Sequence, residues 1–444
     1  VRVSPQALAA LALAALLGMP APLRAAATDI SLLDLVETEF GYTTIFDQYQ
    51  RPLTAQRLLD GARVGMIAYL RSRGVAQPRV AAMHARADGR GAVPAIEQQI
   101  GLAIERYGAR VDVLQLVYAT IRGEVAALND PYSVFFTARE VKGFSAAIDG
   151  TAFGGIGVEL AYDDATKTWR ADDVFAGGPA LTAGLLAGDV LLAVDGTSLS
   201  GLDNARVLAL LRGKIGSVAQ ISIARAGAPL AAPLGITRAA ITPPVVTARL
   251  LPDNVGYVAL HSFPQDAGTQ VRAALLRLAA QGARAYVFDL RGNGGGYESA
   301  AVHVASDFIA GGPIVANEGR DGKRRVSPAD GDAVPPLPLA VLVDGDSASG
   351  AELVAGAIQD RHAGTLIGVR TFGKGVAQTM FALPDGSAIK LTTARYYTAA
   401  GRFIDKVGLT PDITIAEPAG SQTGVPGHDA QLDRALALLV PGGV

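Results

Sequence analysis

The sequence predicts a multidomain α/β chain in three parts, and three patterns predict it. Apolar residues recur at spacings of three and four from about 30 to 143, short β-like runs alternate with tight turns from about 154 to 238, and strands alternate with helices from about 245 to 415. The boundaries expected from these shifts are a leader at 1–27, an N-terminal helical region at 28–145, an inserted strand-rich module at 146–238, an α/β core at 239–418, and a linker with a C-terminal helix at 419–444.

The composition leaves room for several cores. The chain has 444 residues, of which 50% are hydrophobic, with 39 Lys+Arg against 41 Asp+Glu. A net charge of -2 without blocks of one sign argues against a nucleic-acid partner held by bulk electrostatics. The lack of cysteine excludes disulfides, thiolate metal sites and cysteine nucleophiles.

At the N-terminus, Arg2 precedes an apolar run from Ala7 to Met19, then Pro20, Pro22 and the small residues Ala25, Ala26 and Ala27. This reads as a secretory signal peptide cut after Ala27, so a soluble, exported, periplasmic or envelope-associated protein is expected. The alternative is a retained anchor, which the run is too short to form, since a span needs about 20 apolar residues.

In the helical region, Leu58, Leu59, Gly61, Ala62, Met66, Ile67 and Leu70, and then Ile96, Ile104, Leu116, Ile121 and Val125, recur at spacings that make amphipathic helices. Asn129-Asp130-Pro131 stops this block, and the Gly-rich stretch Gly150 to Gly155 marks the next boundary. The module then offers strands at Ile156 to Leu160, Val190 to Val194 and Ala219 to Ala224, with a helix from Asn204 to Leu211. In the core, strands are expected at Val255 to Leu260, Ala285 to Leu290, Leu339 to Val343 and Ala388 to Thr393. Helices are expected at Ala267 to Ala280, Glu298 to Ile309 and Ala351 to Ile358, and a last one at Leu432 to Val440.

The chemistry concentrates where the apolar strand Leu339 to Val343 gives way to Asp344-Gly345-Asp346-Ser347-Ala348-Ser349-Gly350-Ala351-Glu352 and a helix. The first amides of a helix lack internal partners and carry partial positive charge, so a serine there has an oxyanion donor beside it, here the amide of Gly350. Serine is also a common helix cap, so position alone does not make a nucleophile. A second segment changes the weighing. Thr371-Phe372-Gly373-Lys374-Gly375-Val376 sets a lysine in a glycine-flanked turn beside an apolar run, and apolar surroundings free a lysine's amine to act as a base. Gln378, four residues on, would share a strand face with Lys374 and orient it.

These segments resemble the C-terminal processing (tail-specific) peptidases, which carry Ser-Ala-Ser before a helix and Phe-Gly-Lys-Gly-x-x-Gln after it. Ser349 and Lys374 stand 25 positions apart, as the family's serine and lysine do, which selects Ser349 rather than Ser347. The resemblance implies a serine endopeptidase with Ser349 as nucleophile, Lys374 as general base and Gln378 as the orienting third residue, working without metal or organic cofactor. Asp289-Leu290-Arg291-Gly292-Asn293-Gly294-Gly295-Gly296 matches a further family motif, which implies a second oxyanion donor at Gly295, with Gly296 next in line. Gly350 departs from the pattern, where alanine is usual, and so does Ala399, where proline is common.

Within the module, Phe153-Gly154-Gly155-Ile156-Gly157-Val158, Gly177-Gly178-Pro179-Ala180, Gly188-Asp189 and Asp195-Gly196 resemble a PDZ domain in order along the chain. The backbone of Gly155, Ile156, Gly157 and Val158 would then hold the free carboxylate of a substrate tail that adds as a strand. The resemblance thus implies a crotonase-like core of tail-specific protease type, and protein or peptide substrates with free C-terminal tails. It leaves an adaptor protein and a homo-oligomer open. The histidines His84, His261, His303, His362 and His428 form neither a metal-ligand spacing nor a Gly-x-Ser-x-Gly context. Two other readings compete: a non-catalytic PDZ scaffold on the same fold, and a crotonase-type acyl-handling enzyme, which would give no reason for a PDZ module or a Ser/Lys pair.

Overall fold

The structure, a computed structural model, describes residues 32–148, 153–163, 166–175, 177–241, 244–418, 421 and 423–440. The expected signal peptide lies outside the described residues, as does the start of the Gly-rich boundary at 150–152 and part of the expected linker. The chain divides into two compact units.

The first unit takes residues up to 145, 317–325 and 376–396. Its helices include Leu32–Gln48, Ala55–Ser72, Ala92–Tyr107 and Val113–Ala126, and Ala138–Ile148 begins in it. The periodicity that runs from Ile96 to Val125 is split where Gly108 takes a positive φ of 45° and a 3-10 turn, Gly108–Arg110, redirects the chain. Asp112 caps the next helix by accepting from Gln115 N. Leu58, Leu59, Met66, Leu70, Ile96 and Leu116 are fully buried together, so the expected helical faces do meet in one core. That core also takes Phe135, Ile389 and Leu391, because strand Val134–Phe136 pairs antiparallel with strand Ala388–Thr398, which pairs in turn with Val376–Ala382.

A buried acid cluster ties these strands to the first helix. Glu37 Oε1 accepts from the Asp385 amide at 3.0 Å, Ser387 N donates to Asp385 Oδ1 at 2.7 Å, and Tyr118 Oη donates to Asp385 Oδ2. Burial, then hydrogen bonding to Asp385, pushes the Glu37 carboxyl up to about 9. Burial acts on Asp385 in the same direction, but hydrogen bonds from Glu37, Ser387 and Tyr118 outweigh it and hold Asp385 down to about 2.

The second unit holds the strand-rich module and the α/β core. In the module, strands Val158–Asp163, Thr168–Val174, Val190–Val194 and Val218–Arg225 form an antiparallel sheet in that order. Helix Asn204–Leu211 has the predicted bounds. Trp169, Leu185, Leu191, Val207, Ile221 and Ile236 fill the module's core. The expected strand Ile156 to Leu160 is interrupted: Phe153–Gly155 pairs with Ala239–Ile241, Gly157 has φ of 77°, and the next strand starts at Val158.

The α/β core is a six-stranded sheet ordered Val246–Leu251, Val255–Leu260, Ala285–Asp289, Leu339–Val343, Thr365–Gly368 and Ile413–Thr414. The first pair is antiparallel and the rest are parallel. Strands 255–260, 285–289 and 339–343 are buried at every residue, which explains why they read as apolar runs apart from Asp289 at the end of the second. Tyr257, Ala259, Val287, Ala340 and Leu342 share one face with Leu432 and Ala435 of the last helix, Ala430–Leu439. Helices Ala267–Ala280, Glu298–Phe308 and Gly350–Asp360 complete the unit. Among the described residues no helix is long and apolar enough to cross a membrane.

Candidate active site

The site forms at the C-terminal end of strand Leu339–Val343, where the chain must turn sharply into helix Gly350–Asp360. Asp344 shapes the turn. Its carboxylate accepts from the amides of Asp346 at 3.0 Å and Ser347 at 2.9 Å, and from Gly292 N across the loop at 3.0 Å. The Ser347 hydroxyl is fully buried and donates to Leu290 O at 2.8 Å, which commits it to the scaffold.

Ser349 is different. It stands at φ 55°, ψ -115°, a conformation that L-residues avoid, whereas an ordinary cap serine lies in the β region. Strain of this kind costs on the order of 1–3 kcal/mol and persists only where the surroundings impose it. Serines raised on strained strand-to-helix turns are the geometry of exposed nucleophiles. Ser349 does cap the helix, with Glu352 reaching back to its amide, but in a backbone conformation that an ordinary cap serine does not take.

Glu352, one turn into the helix and fully buried, holds the strained turn by the Ser349 amide. Its Oε2 accepts from the amides of Ser349 at 2.9 Å and Lys374 at 2.8 Å. Its Oε1 accepts from Thr371 Oγ1 at 2.6 Å and Gly373 N at 2.7 Å. Four donors satisfy both oxygens, which meets the hydrogen-bonding needs of a carboxylate buried this deeply. One side chain thus locks the serine's turn to the lysine's turn, and Phe372 N adds a bond to Ser347 O at 3.1 Å.

The lysine's turn lies against residues 404–408: Lys406 N donates to Gly373 O at 2.7 Å, and a Cβ on Gly375 would fall 2.5 Å from Asp405 N. Glycine at 375 is therefore required by close backbone approach. The Lys374 side chain is half-buried.

Gln378 does not follow the simple strand count. Lys374 precedes the strand, which starts at Val376, and a bulge falls between Ala377 and Gln378, so counting four residues along a strand does not put the two on one face. The Gln378 Nε2 donates to Val376 O at 3.1 Å and to Thr392 Oγ1 at 3.5 Å.

The Gly-rich loop after strand Ala285–Asp289 is organised by Asn293, fully buried, whose role the sequence reading missed. Its Nδ2 donates to Leu260 O at 2.6 Å, its Oδ1 accepts from Gly295 N at 2.8 Å, and its carbonyl accepts from Ala348 N at 2.9 Å. The Gly295 amide, expected as an oxyanion donor, is therefore already committed to Asn293. Gly295 instead serves close approach: with φ of 95°, a Cβ there would sit 2.8 Å from both Ser349 Cβ and Gly350 N. Gly350, buried as the first helical residue, has no carbonyl within the helix to bond.

Behind this loop Arg291 is clamped between Asp289 and Asp429, with Nη2–carboxylate distances of 2.6 and 2.7 Å. Tyr257 Oη also donates to Asp289 at 2.7 Å. The segment before the last helix is thus bonded into the loop's root. The signal for it was the Asp-x-Arg spacing, but its partner lies 138 residues on and no local pattern reveals that.

In the module, strand Val158–Asp163 lies at the edge of the sheet among the described residues, and residues of helix Asn204–Leu211 face it across a groove. Between them lies a groove of about 280 Å³ lined by Gly155, Ile156, Gly157, Val158, Leu208 and Leu211. Ile156 turns its side chain into the module's core, so it contributes backbone to the groove. Of the histidines, His303 pairs with Asp330 at 2.5 Å and His261 with Thr247 Oγ1 at 3.3 Å. No cluster of three or more potential metal ligands occurs among the described residues.

A strained serine at a strand-to-helix turn thus shares the Glu352 carboxylate with the amide of a glycine-flanked lysine, and the same unit carries a strand-edge groove. Residues 254–415 match Peptidase family S41, and residues 171–225 match the PDZ domain. The "C-terminal processing peptidase, chloroplastic" of Tetradesmus obliquus is 36% identical over 67% of this chain and 68% of its own length. The "Carboxyl-terminal-processing protease" of Synechocystis sp. is 33% identical over 73% of this chain and 77% of its own. The solved photosystem II D1 C-terminal processing protease superposes with a TM-score of 0.52 at 28% identity, covering 87% of this chain and 95% of that one. The chain belongs to Peptidase family S41, as a PDZ-containing serine peptidase of the carboxyl-terminal processing proteases.

Proposed function

We propose that the chain is an exported endopeptidase that cuts proteins near their C-termini, with Ser349 as nucleophile and Lys374 as general base. One observation carries this reading: the buried Glu352 carboxylate binds the amides of both residues, so two turns far apart in sequence are held in one register. Lys374, as the free amine, takes the Ser349 proton while Oγ attacks the scissile carbonyl carbon. The Gly350 amide receives the oxyanion, and Gly296 replaces Gly295 as the second donor. The Lys374 ammonium then protonates the leaving amine, and water, deprotonated by the same amine, releases the acyl group from Ser349. Gln378 keeps its place as the orienting residue on the motif it completes. The scheme requires neither metal nor organic cofactor.

The substrate's tail adds as a strand along Val158–Asp163, with its carboxylate at the backbone of Gly155 to Val158. The test is cleavage of an unstructured protein ending in apolar residues with a free carboxylate. Wild-type protein cuts it, and Ser349→Ala and Lys374→Met do not. Tail binding without cleavage by the wild-type chain would instead establish a PDZ scaffold.

A further inference from the structure

The tail groove is not walled by the PDZ fold alone. Val158, Leu160, Leu208 and Leu211 line it from the module, and Pro244 and His261 line it as well. Both of these lie beyond the PDZ match, which ends at 225, and His261 falls within the peptidase match at 254–415. His261 directly follows core strand Val255–Leu260. It therefore brings a hydrogen-bonding ring from the catalytic sheet into a groove whose other polar side chains, Glu159 and Arg212, come from the module.

The backbone that carries the ring is held in place. The His261 amide donates to Val245 O at 2.9 Å, and the carbonyl just before it, on Leu260, accepts from Asn293 at 2.6 Å. With Nε2 facing Thr247 Oγ1 at 3.3 Å, Nδ1 is the ring's second hydrogen-bonding atom. A groove residue pinned on both sides offers its hydrogen bond at little ordering cost. An extended tail presents alternate side chains to opposite faces. The apolar walls from Leu208 and Leu211 suit one set, and the core residues are available to the other.

We propose that His261 is a specificity-determining residue of the tail site, one that hydrogen-bonds a Ser, Thr, Asn or Gln side chain near the end of the substrate. The catalytic sheet then reads tail side chains that the PDZ walls do not contact. The inference rests on the tail-binding reading above and names the tail class: an apolar last residue with a hydrogen-bonding neighbour upstream.

The test uses the full chain carrying Ser349→Ala, so that binding is seen without cleavage. Fluorescent peptides share an apolar last residue and free carboxylate, and carry Ala, Leu, Ser or Asn at each of the next three positions. At one position Ser or Asn should bind about fivefold tighter than Ala, as one net hydrogen bond supplies. His261→Ala should erase that preference and His261→Asn should retain part of it. Both should keep the preference for an apolar last residue, which shows the groove intact. A wild-type groove without the preference, or a His261→Ala groove that keeps it, overturns the proposal. Loss of the tail-binding reading looks different: no peptide binds, or an amidated tail binds as well as a free one, and the proposal goes with it.

Discussion

Replacing Glu352 by Gln removes charge while keeping size, and the structure says what that should do. The carboxylate accepts four hydrogen bonds, two on each oxygen, from Ser349 N and Lys374 N on one side and from Thr371 Oγ1 and Gly373 N on the other. An amide has one oxygen, so whichever way it is turned its NH2 faces a pair of donors. Two bonds to a charged acceptor are then lost, each worth about 1.5–3 kcal/mol, or about 3–6 kcal/mol in all. If half of that is felt as misalignment of the serine and lysine turns, turnover falls about 10- to 150-fold. The groove lined by Val158, Leu208 and Leu211 includes none of these residues, so KM should stay within about threefold. Steady-state cleavage of an unstructured protein with an apolar tail, alongside a thermal melt, measures both effects. A variant that melts lower yet keeps its kcat within about threefold would refute the reasoning, since Glu352 would then only cap a helix.

Other outcomes follow from the same geometry. Gly295→Ala forces a Cβ to 2.8 Å from Ser349 Cβ at a φ of 95°, so kcat should drop at least a hundredfold while the protein stays folded; near-normal turnover would show that the loop can retreat. Gly350→Ala meets only ordinary or slightly tight contacts, with Phe263 Cδ2 nearest at 3.3 Å, so activity should be kept within about threefold and the melt raised slightly, as expected for Gly to Ala in a helix; collapse of activity would contradict this. Glu37 keeps its proton in the fold up to about 9 but loses it near 4.5 when unfolded. Its stabilising contribution is thus complete below pH 4.5 and disappears as pH rises through about 9. Melting temperatures of wild type and Glu37→Gln should converge or cross as pH rises, and parallel curves would rule out this proton. Asp429→Ala leaves Arg291 buried with one carboxylate fewer, so unfolding in urea should lose about 3–5 kcal/mol; a midpoint unchanged from wild type would rule out a stabilising clamp.

Much of this was legible in the residues because the core is built from strongly patterned pieces. Leu339–Val343, Val255–Leu260 and Ala267–Ala280 have the expected bounds, since unbroken apolar runs and clear helical spacing survive into the fold. The edge pieces did not show themselves. Strands Pro313–Gly319 and Arg324–Pro328 carry charged and polar residues, and Val246–Leu251 includes an arginine, so none stands out from loop sequence. Within the site, the Ser349, Lys374 and Gln378 positions came from motif spacing. The Ser349 backbone strain, the Glu352 clamp and the Asn293 hub could not, because each depends on which donors converge in space. Glu352 had one local hint, a Ser-x-x-Glu capping pattern, but that pattern gives no sign that the lysine's turn shares the carboxylate. Gly295 shows the reverse case: the motif placed it beside the serine, yet its amide faces Asn293.

The most direct measurement is rapid quench of the enzyme with an activated ester, followed by mass mapping of the acylated residue. The acyl group should be found on Ser349 alone, and in Lys374→Met it should form at least a hundredfold more slowly. An adduct on another residue, or acylation at the wild-type rate without the 374 amine, would contradict the account.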